Sequence, residues 1–282
     1  MNADILEEIR TGLAAGQVVP YLGPGMLDLI PDCPLPSSPE SLVERLVAKA
    51  SVPHKIRGNL TAAAQFIENF KHRKTVSAAM TEAFGAPASP AALHRYLADM
   101  NQLPLIVHAW YDDVMRQAME GRASWGGIQG VSQAEHFGNW VHYYDASGAE
   151  ATPVDCEEWS TILYEPIGAA KPDANFIVSD SDYVEVLTEI DIQTPIPPAV
   201  QMIRAGRGFL FLGCRFRSQL ERAFARQIMK RSSHRHIAVL SGELTRNEAR
   251  FLNEQNIERI DMPLAEFAAL ITDDESATVA AV

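Results

Sequence analysis

The feature that most constrains this chain is a repeated step: a short apolar run, a glycine-bearing or polar loop, then apolar residues at helical spacing. Val18 to Leu22 runs into Gly23-Pro24-Gly25. Leu103 to Val107 passes through His108 into a helix-like stretch from Asp112 to Met119. Ile162 to Tyr164 leads to Gly168, and Phe209 to Leu212 ends at Gly213 before Leu220, Ala223, Phe224 and Ile228. Ile237 to Leu240 and Ile257 to Ile260 add two more runs. Runs this short and this apolar suit strands buried on both faces, and strand–loop–helix steps build parallel sheets. The expected fold is α/β: a Rossmann-like, doubly wound, mostly parallel sheet with helices on both faces. Ligands of such sheets bind outside the carboxyl ends of the strands, near the topological switch point. The loops at Gly23, His108, Gly168 and Gly213 are therefore where a site belongs.

Helices fill the intervals. Ile5, Leu6, Ile9 and Leu13 share one helical face. Ser38-Pro39-Glu40 is a helix start, with a capping hydroxyl, a proline at the first position and an acid near the positive end of the dipole. Ala63, Phe66, Ile67 and Phe70 mark a second helix, and Ser89-Pro90 begins a third. Asp182 to Leu187 is a short helix, Pro195 to Pro198 a linker or ordered turn, and Thr245 with Glu248 a capping box. Leu264, Phe267, Ala268 and Ile271 close the pattern. One domain is expected over 1–272, with a flexible acidic tail over 273–282. Residues from about 120 to 160 break the rhythm. They hold Trp125, Trp140, Trp159, Phe137, Tyr143 and Tyr144 among glycines, and read as an inserted segment, either a small subdomain or an interface.

Charge and cysteine content narrow the function classes. The net charge is −12, which disfavours a nucleic-acid partner. Arg215, Arg217, Arg222, Arg226, Lys230, Arg231 and Arg235 cluster in sequence and read as a solvated helix face, with Arg215 the one candidate for a phosphate. Cys33, Cys156 and Cys214 form no Cys-x-x-Cys pair, so no zinc ribbon is expected. His234 and His236 would share one strand face but have no Cys or acidic pair near them, which points to a surface role, and His136, His142 and Asp145 match no helical or strand template, so no metal is expected. No apolar run reaches the roughly 18 residues that cross a bilayer, and Met1 to Arg10 lacks a signal-peptide pattern. A cytoplasmic protein without membrane contact is expected.

Taken in order, the loops resemble those of the sirtuin-like (SIR2-like) family, particularly bacterial members outside the protein deacetylases. The family's first strand enters a Gly-Ala-Gly loop that cradles a dinucleotide, and here it reads Tyr21-Leu22-Gly23-Pro24-Gly25-Met26. Its Thr-Thr-Asn-Tyr-Asp motif is matched by His108-Ala109-Trp110-Tyr111-Asp112. Its His-Gly pair is matched by Ile167-Gly168, and its late apolar strand with Gly and Arg by Phe209 to Leu212, Gly213 and Arg215. The resemblance implies cofactor contacts from Gly23, Gly25, Met26, Tyr111, Asp112, Gly213 and Arg215.

The departures fall on the groups the family's chemistry needs. Trp110 stands where the family has the ribose-contacting Asn, and an indole can only donate. Ile167 stands where it has the general base and cannot exchange a proton. Pro24 removes one backbone N–H from the phosphate loop. Trp110 and Ile167 are expected to fill part of the family's substrate pocket, so no catalytic residue is expected, and His108 is the fallback base. The resulting expectation is a degenerate SIR2-like protein that binds or assembles rather than catalyses, as a homo-oligomer or with a protein partner. It would require no cofactor, while NAD or a related nucleotide stays an allowed ligand. The alternatives are an NAD hydrolase or deacylase with a relocated base, and a binder of another small ligand or metal in the reshaped pocket.

Overall fold

The computed structural model describes residues 3–192, 196–233 and 235–273. The chain opens with helix α1 (Ala3–Ala14) and strand β1 (Val18–Leu22), then helices α2 (Pro39–Lys49), α3 (Leu60–Lys71), α4 (Arg73–Ala83) and α5 (Ala92–Asp99). Strand β2 (Leu105–His108) and helix α6 (Val114–Ala118) precede strands β3 (Trp125–Gly130), β4 (Val141–Asp145), β5 (Glu150–Ala151) and β6 (Thr161–Glu165). A small hairpin, β7 (Gly168–Ala169) and β8 (Asn175–Phe176), leads to helices α7 (Asp180–Ile192) and α8 (Pro198–Arg204). The chain then alternates through β9 (Gly208–Leu212), α9 (Gln219–Met229), β10 (His236–Val239), α10 (Arg246–Glu254), β11 (Ile257–Ile260) and α11 (Leu264–Thr272).

Nine strands form the central sheet in the order β11-β10-β9-β1-β2-β6-β3-β4-β5. All pairs from β11 to β3 are parallel, and the β3–β4 and β4–β5 pairs are antiparallel. The strands are apolar on both faces because each face is covered. Val19, Tyr21, Val107, Phe209 and Phe211 enter one core with α2, α3, α4, α9 and α10. Leu22, Ile106, Leu163, Leu210 and Leu212 enter the other with α1, α5, α6 and α11. Alternate residues of one strand thus serve opposite cores, as the two-residue period of a strand requires. The expected doubly wound α/β sheet is what the chain forms. Pro20 sits in the central strand β1, where pairing with β2 begins only at Tyr21.

Several boundaries differ from the sequence reading. The third helix starts at Ala92 rather than at Pro90, with the His94 ring accepting the Ala91 N–H at 3.2 Å. The helix read from Asp112 begins at Val114, because the Asp112 carboxylate accepts the Val114 N–H at 3.0 Å and holds a turn first. The helix read over 182–187 runs from Asp180 to Ile192, and α4 was not anticipated. The capping box at Thr245 and Glu248 is present. Pro195, His234 and the tail beyond Asp273 lie outside the described residues.

The largest correction concerns residues 120–160. They form no separate insert but supply β3, β4 and β5, extending the central sheet by three strands. Gly126 and Gly127 hid β3, since glycine weakens a strand interior. Both are there for close approach. A Cβ on Gly126 would lie 2.4 Å from the Trp159 ring, and one on Gly127 would lie 2.2 Å from the Arg116 guanidinium. Trp125 and Tyr144 are buried by this packing, while Phe137 stays 94% exposed.

Candidate functional site

Strand β1 has β2 on one side and β9 on the other, so the winding direction reverses between β1 and β9. The two glycine loops meet at the carboxyl ends of these strands. Gly213 has φ +65°, and a Cβ there would lie 2.4 Å from the Met26 nitrogen. A Cβ on Gly23 would lie 2.6 Å from the Gly213 carbonyl. The loops are therefore in backbone contact. The Gly23 N–H donates to Leu212 O at 2.8 Å, the Gly25 N–H to Gly213 O at 2.9 Å, and the Met26 N–H to Gly23 O at 3.1 Å. Pro24 has no N–H to offer. Every residue from 23 to 26 thus lacks a free backbone donor. Met26 points into the second core at 1% exposure.

Arg215 is also committed. Its guanidinium donates to the Glu248 carboxylate at 2.9 and 3.3 Å, to Ser241 O at 3.0 Å and to Glu243 O at 3.1 Å. These bonds tie the Gly213 loop to the start of α10 rather than leaving a fork for a phosphate. Three other cations of the cluster meet acids: Arg217 faces Glu40, Arg226 faces Glu254, and Arg235 bridges Glu8 and Glu258, while Arg222 donates to the carbonyls of Phe216 and Arg217.

The loop after β2 turns inward. Trp110 is 4% exposed, and its indole N–H donates to Pro36 O at 2.8 Å. Its ring packs on Phe84 and Tyr111. Tyr111 is fully buried and donates to Ile177 O at 2.7 Å. Ile167 is 6% exposed in the same core. Trp110 and Ile167 are both part of the core on this face of the sheet.

His108 and Asp112 form a buried pair, Nε2 to Oδ2, at 3.2 Å. Burial pulls the imidazole pKa down, but Asp112, helped by Glu165 and Asp113, holds it above its ordinary value. Burial likewise raises the Asp112 carboxyl, but His108 and the Val114 N–H bring it below the usual range. Both directions describe an ion pair. His94, in the first turn of α5, behaves oppositely: burial pushes its pKa down to about 4.

The two histidines have opposite linkage to folding. A pKa depressed in the folded state means the His94 contribution is complete above the unfolded value near 6.5 and lost as pH falls toward 4. A raised pKa means the His108 contribution is complete below 6.5 and lost as pH rises through its folded value. Acidification from pH 6.5 to 4 should therefore cost about 3 kcal/mol through His94, at about 1.4 kcal/mol per pKa unit. Urea unfolding across this range should show that loss in the native protein. It should be largely absent in His94→Asn, which cannot take up the proton.

Sequence reasoning missed Arg116, Gln129, Glu165 and Asn175. Glu165 is fully buried at the end of β6 and meets Arg116 at 3.1 Å. Burial, larger than the opposing effect of Arg116, raises its pKa. The signal available was a charged residue directly after the apolar run ending at Tyr164. Asp182 and Arg73 form a second buried pair at 2.7 Å, away from the loops.

Among the described residues no three His, Cys, Asp or Glu side chains come close enough to hold a metal. His136 and His142 stack edge to face at 4.7 Å, while Asp145 accepts turn N–H groups from Ser147 and Ala149. His236 is buried and accepts the Phe209 N–H. Among the described residues no helix is long and apolar enough to cross a membrane. An open cleft of about 540 Å³ lies between Leu29–Pro34 and Pro87–Arg95.

A mostly parallel sheet with glycine loops meeting at its switch point defines a Rossmann-like α/β protein. A family model for the SIR2-like domain matches residues 104–260, more than half of the chain, and the chain belongs to that family. The match runs from β2 to β11 and leaves β1 and its glycine loop outside. No curated protein matches the chain.

Proposed function

We propose that this SIR2-like protein performs no NAD chemistry and acts as a binding or assembly protein, through self-association or with a protein partner. The observation that carries the reading is the fate of the two positions where the family places its reactive groups. Trp110 is 4% exposed with its only polar atom bonded to Pro36, and Ile167 is 6% exposed. Neither can hold a ribose hydroxyl or move a proton. The consumed N–H groups of residues 23–26 support the same conclusion for the pyrophosphate. A sheet of this kind remains a rigid scaffold once its site is filled, and fold alone does not require the ancestral activity.

The test is to titrate the purified protein with NAD by calorimetry and to follow nicotinamide release for hours at high protein concentration. No heat and no release is the expected result. Binding without release would keep the non-catalytic reading and assign a nucleotide-sensing role. Sustained release would overturn it.

One observation favours a second reading, an NAD-consuming enzyme with a relocated base. The buried His108–Asp112 pair, 3.2 Å apart, has the composition of a base and its orienting acid. At 2% exposure, His108 would need the Trp110 loop to open before it met a substrate. Release abolished by His108→Ala would establish this reading.

A further inference from the structure

Three parallel strands end in polar residues that the sheet register sets side by side. Gln129 of β3 pairs with Glu165 of β6. Val107 of β2 pairs with Tyr164, which sets His108 next to Glu165. The row His108, Glu165, Gln129 therefore crosses the carboxyl ends of β2, β6 and β3 on the face covered by α6. Arg116 of α6 closes over it, donating to Glu165 at 3.1 Å and lying on the Trp125 ring at 5.3 Å. Asn175 joins from β8, donating to Gln129 at 3.0 Å and to Tyr144 at 3.3 Å. His108, Glu165, Gln129 and Asn175 are all at most 2% exposed.

This cluster is incompletely bonded by protein. Among the described residues, seven buried side-chain polar atoms have no protein partner, and five of them are here: His108 Nδ1, Arg116 Nε and Nη1, Glu165 Oε1 and Asn175 Oδ1. A buried polar atom left unbonded loses its hydration without compensation, so five in one network demand a partner. The chemistry of the set identifies it. Arg116 offers two N–H donors, while Glu165 and Asn175 offer acceptors. An anion would be attracted by the guanidinium and repelled by the carboxylate, and a cation the reverse. A neutral molecule that both donates and accepts suits the whole set, and it suits His108 Nδ1 whether or not that nitrogen carries a proton.

We infer that the carboxyl ends of β2, β6 and β3 enclose a permanent internal hydration site, in which ordered water bridges Glu165 and Asn175 to Arg116 and His108. Internal waters typically make about three hydrogen bonds to otherwise unpaired groups, which this network supplies. The water would be a structural part of this edge of the sheet, holding these polar side chains in place beside the loop that carries Trp110.

The native protein provides the test. In protein labelled with ¹⁵N, water cross-peaks should reach the Arg116 Nε–H and the side-chain amides of Gln129 and Asn175. Their rotating-frame sign separates a bound water from proton exchange. Crystals soaked in sodium bromide and in rubidium chloride should show no anomalous peak in the chamber. Replacing the charged pair by Glu165→Leu with Arg116→Leu should abolish the Gln129 and Asn175 cross-peaks. Absence of all cross-peaks in the native protein would overturn the inference, and so would a bromide or rubidium ion in the chamber. The native spectrum decides the question even where the double variant does not fold.

Discussion

Asp182→Ala should cost about 3–5 kcal/mol of stability, the range for breaking a buried ion pair by removing one partner. Asp182 is 1% exposed and gathers four donors: Arg73 at 2.7 Å, the Val178 N–H at 2.9 Å, the Ser179 N–H at 3.0 Å and the Ser132 hydroxyl. Arg73 in turn reaches Glu68, Glu135 and the Phe176 carbonyl. One carboxylate thus anchors α4, the start of α7, β8 and the loop after β3. Removing it leaves a guanidinium at 11% side-chain exposure with its best partner gone. The measurement is urea unfolding of Asp182→Ala, Arg73→Met and the double variant. The double should be less destabilised than the sum of the singles by more than 1 kcal/mol, because both remove the same contact. A loss below about 1 kcal/mol for Asp182→Ala would show that water replaces the carboxylate.

The second large effect concerns the two filled positions. Restoring the family's residues with Trp110→Asn and Ile167→His should destabilise the fold and yield no nicotinamide release. Truncating a buried tryptophan typically costs about 3–5 kcal/mol, and the asparagine leaves the Pro36 carbonyl without the donor it has now. Activity should not return, because the N–H groups of Gly23, Gly25 and Met26 stay bonded to Leu212, Gly213 and Gly23. Thermal unfolding and a nicotinamide assay on the double variant check both halves. Return of NAD cleavage would mean that two side chains alone separate this protein from an active enzyme. The glycine loops would then have to open readily on binding.

Much of the architecture was legible before any coordinates. Phe209-Leu210-Phe211-Leu212 is apolar at every position, which only a strand covered on both faces tolerates. The four loop positions followed from the same rule, and three of them, at Gly23, His108 and Gly213, lie at strand ends as expected. The stretch 120–160 was illegible because its strand β3 carries adjacent glycines. Their purpose, room for Trp159 on one and Arg116 on the other, involves residues far along the chain or on another element. Arg215 was read as a phosphate candidate because the partner that takes it, Glu248, is 33 residues away.

The sequence by itself determined the alternation of strand and helix, the apolar pattern that makes the sheet doubly wound, and the identity of Trp110, Ile167 and Pro24. These are local properties, set by residue type and by spacing within one element. Only the tertiary structure decided that the backbone donors of the glycine loop are spent on the neighbouring loop. Only it decided that His108, Glu165 and Gln129 stand in one row. Hydrogen-bond partners and strand register are pairings between distant segments. Many pairings satisfy the same local pattern, and the packing of the whole sheet selects one.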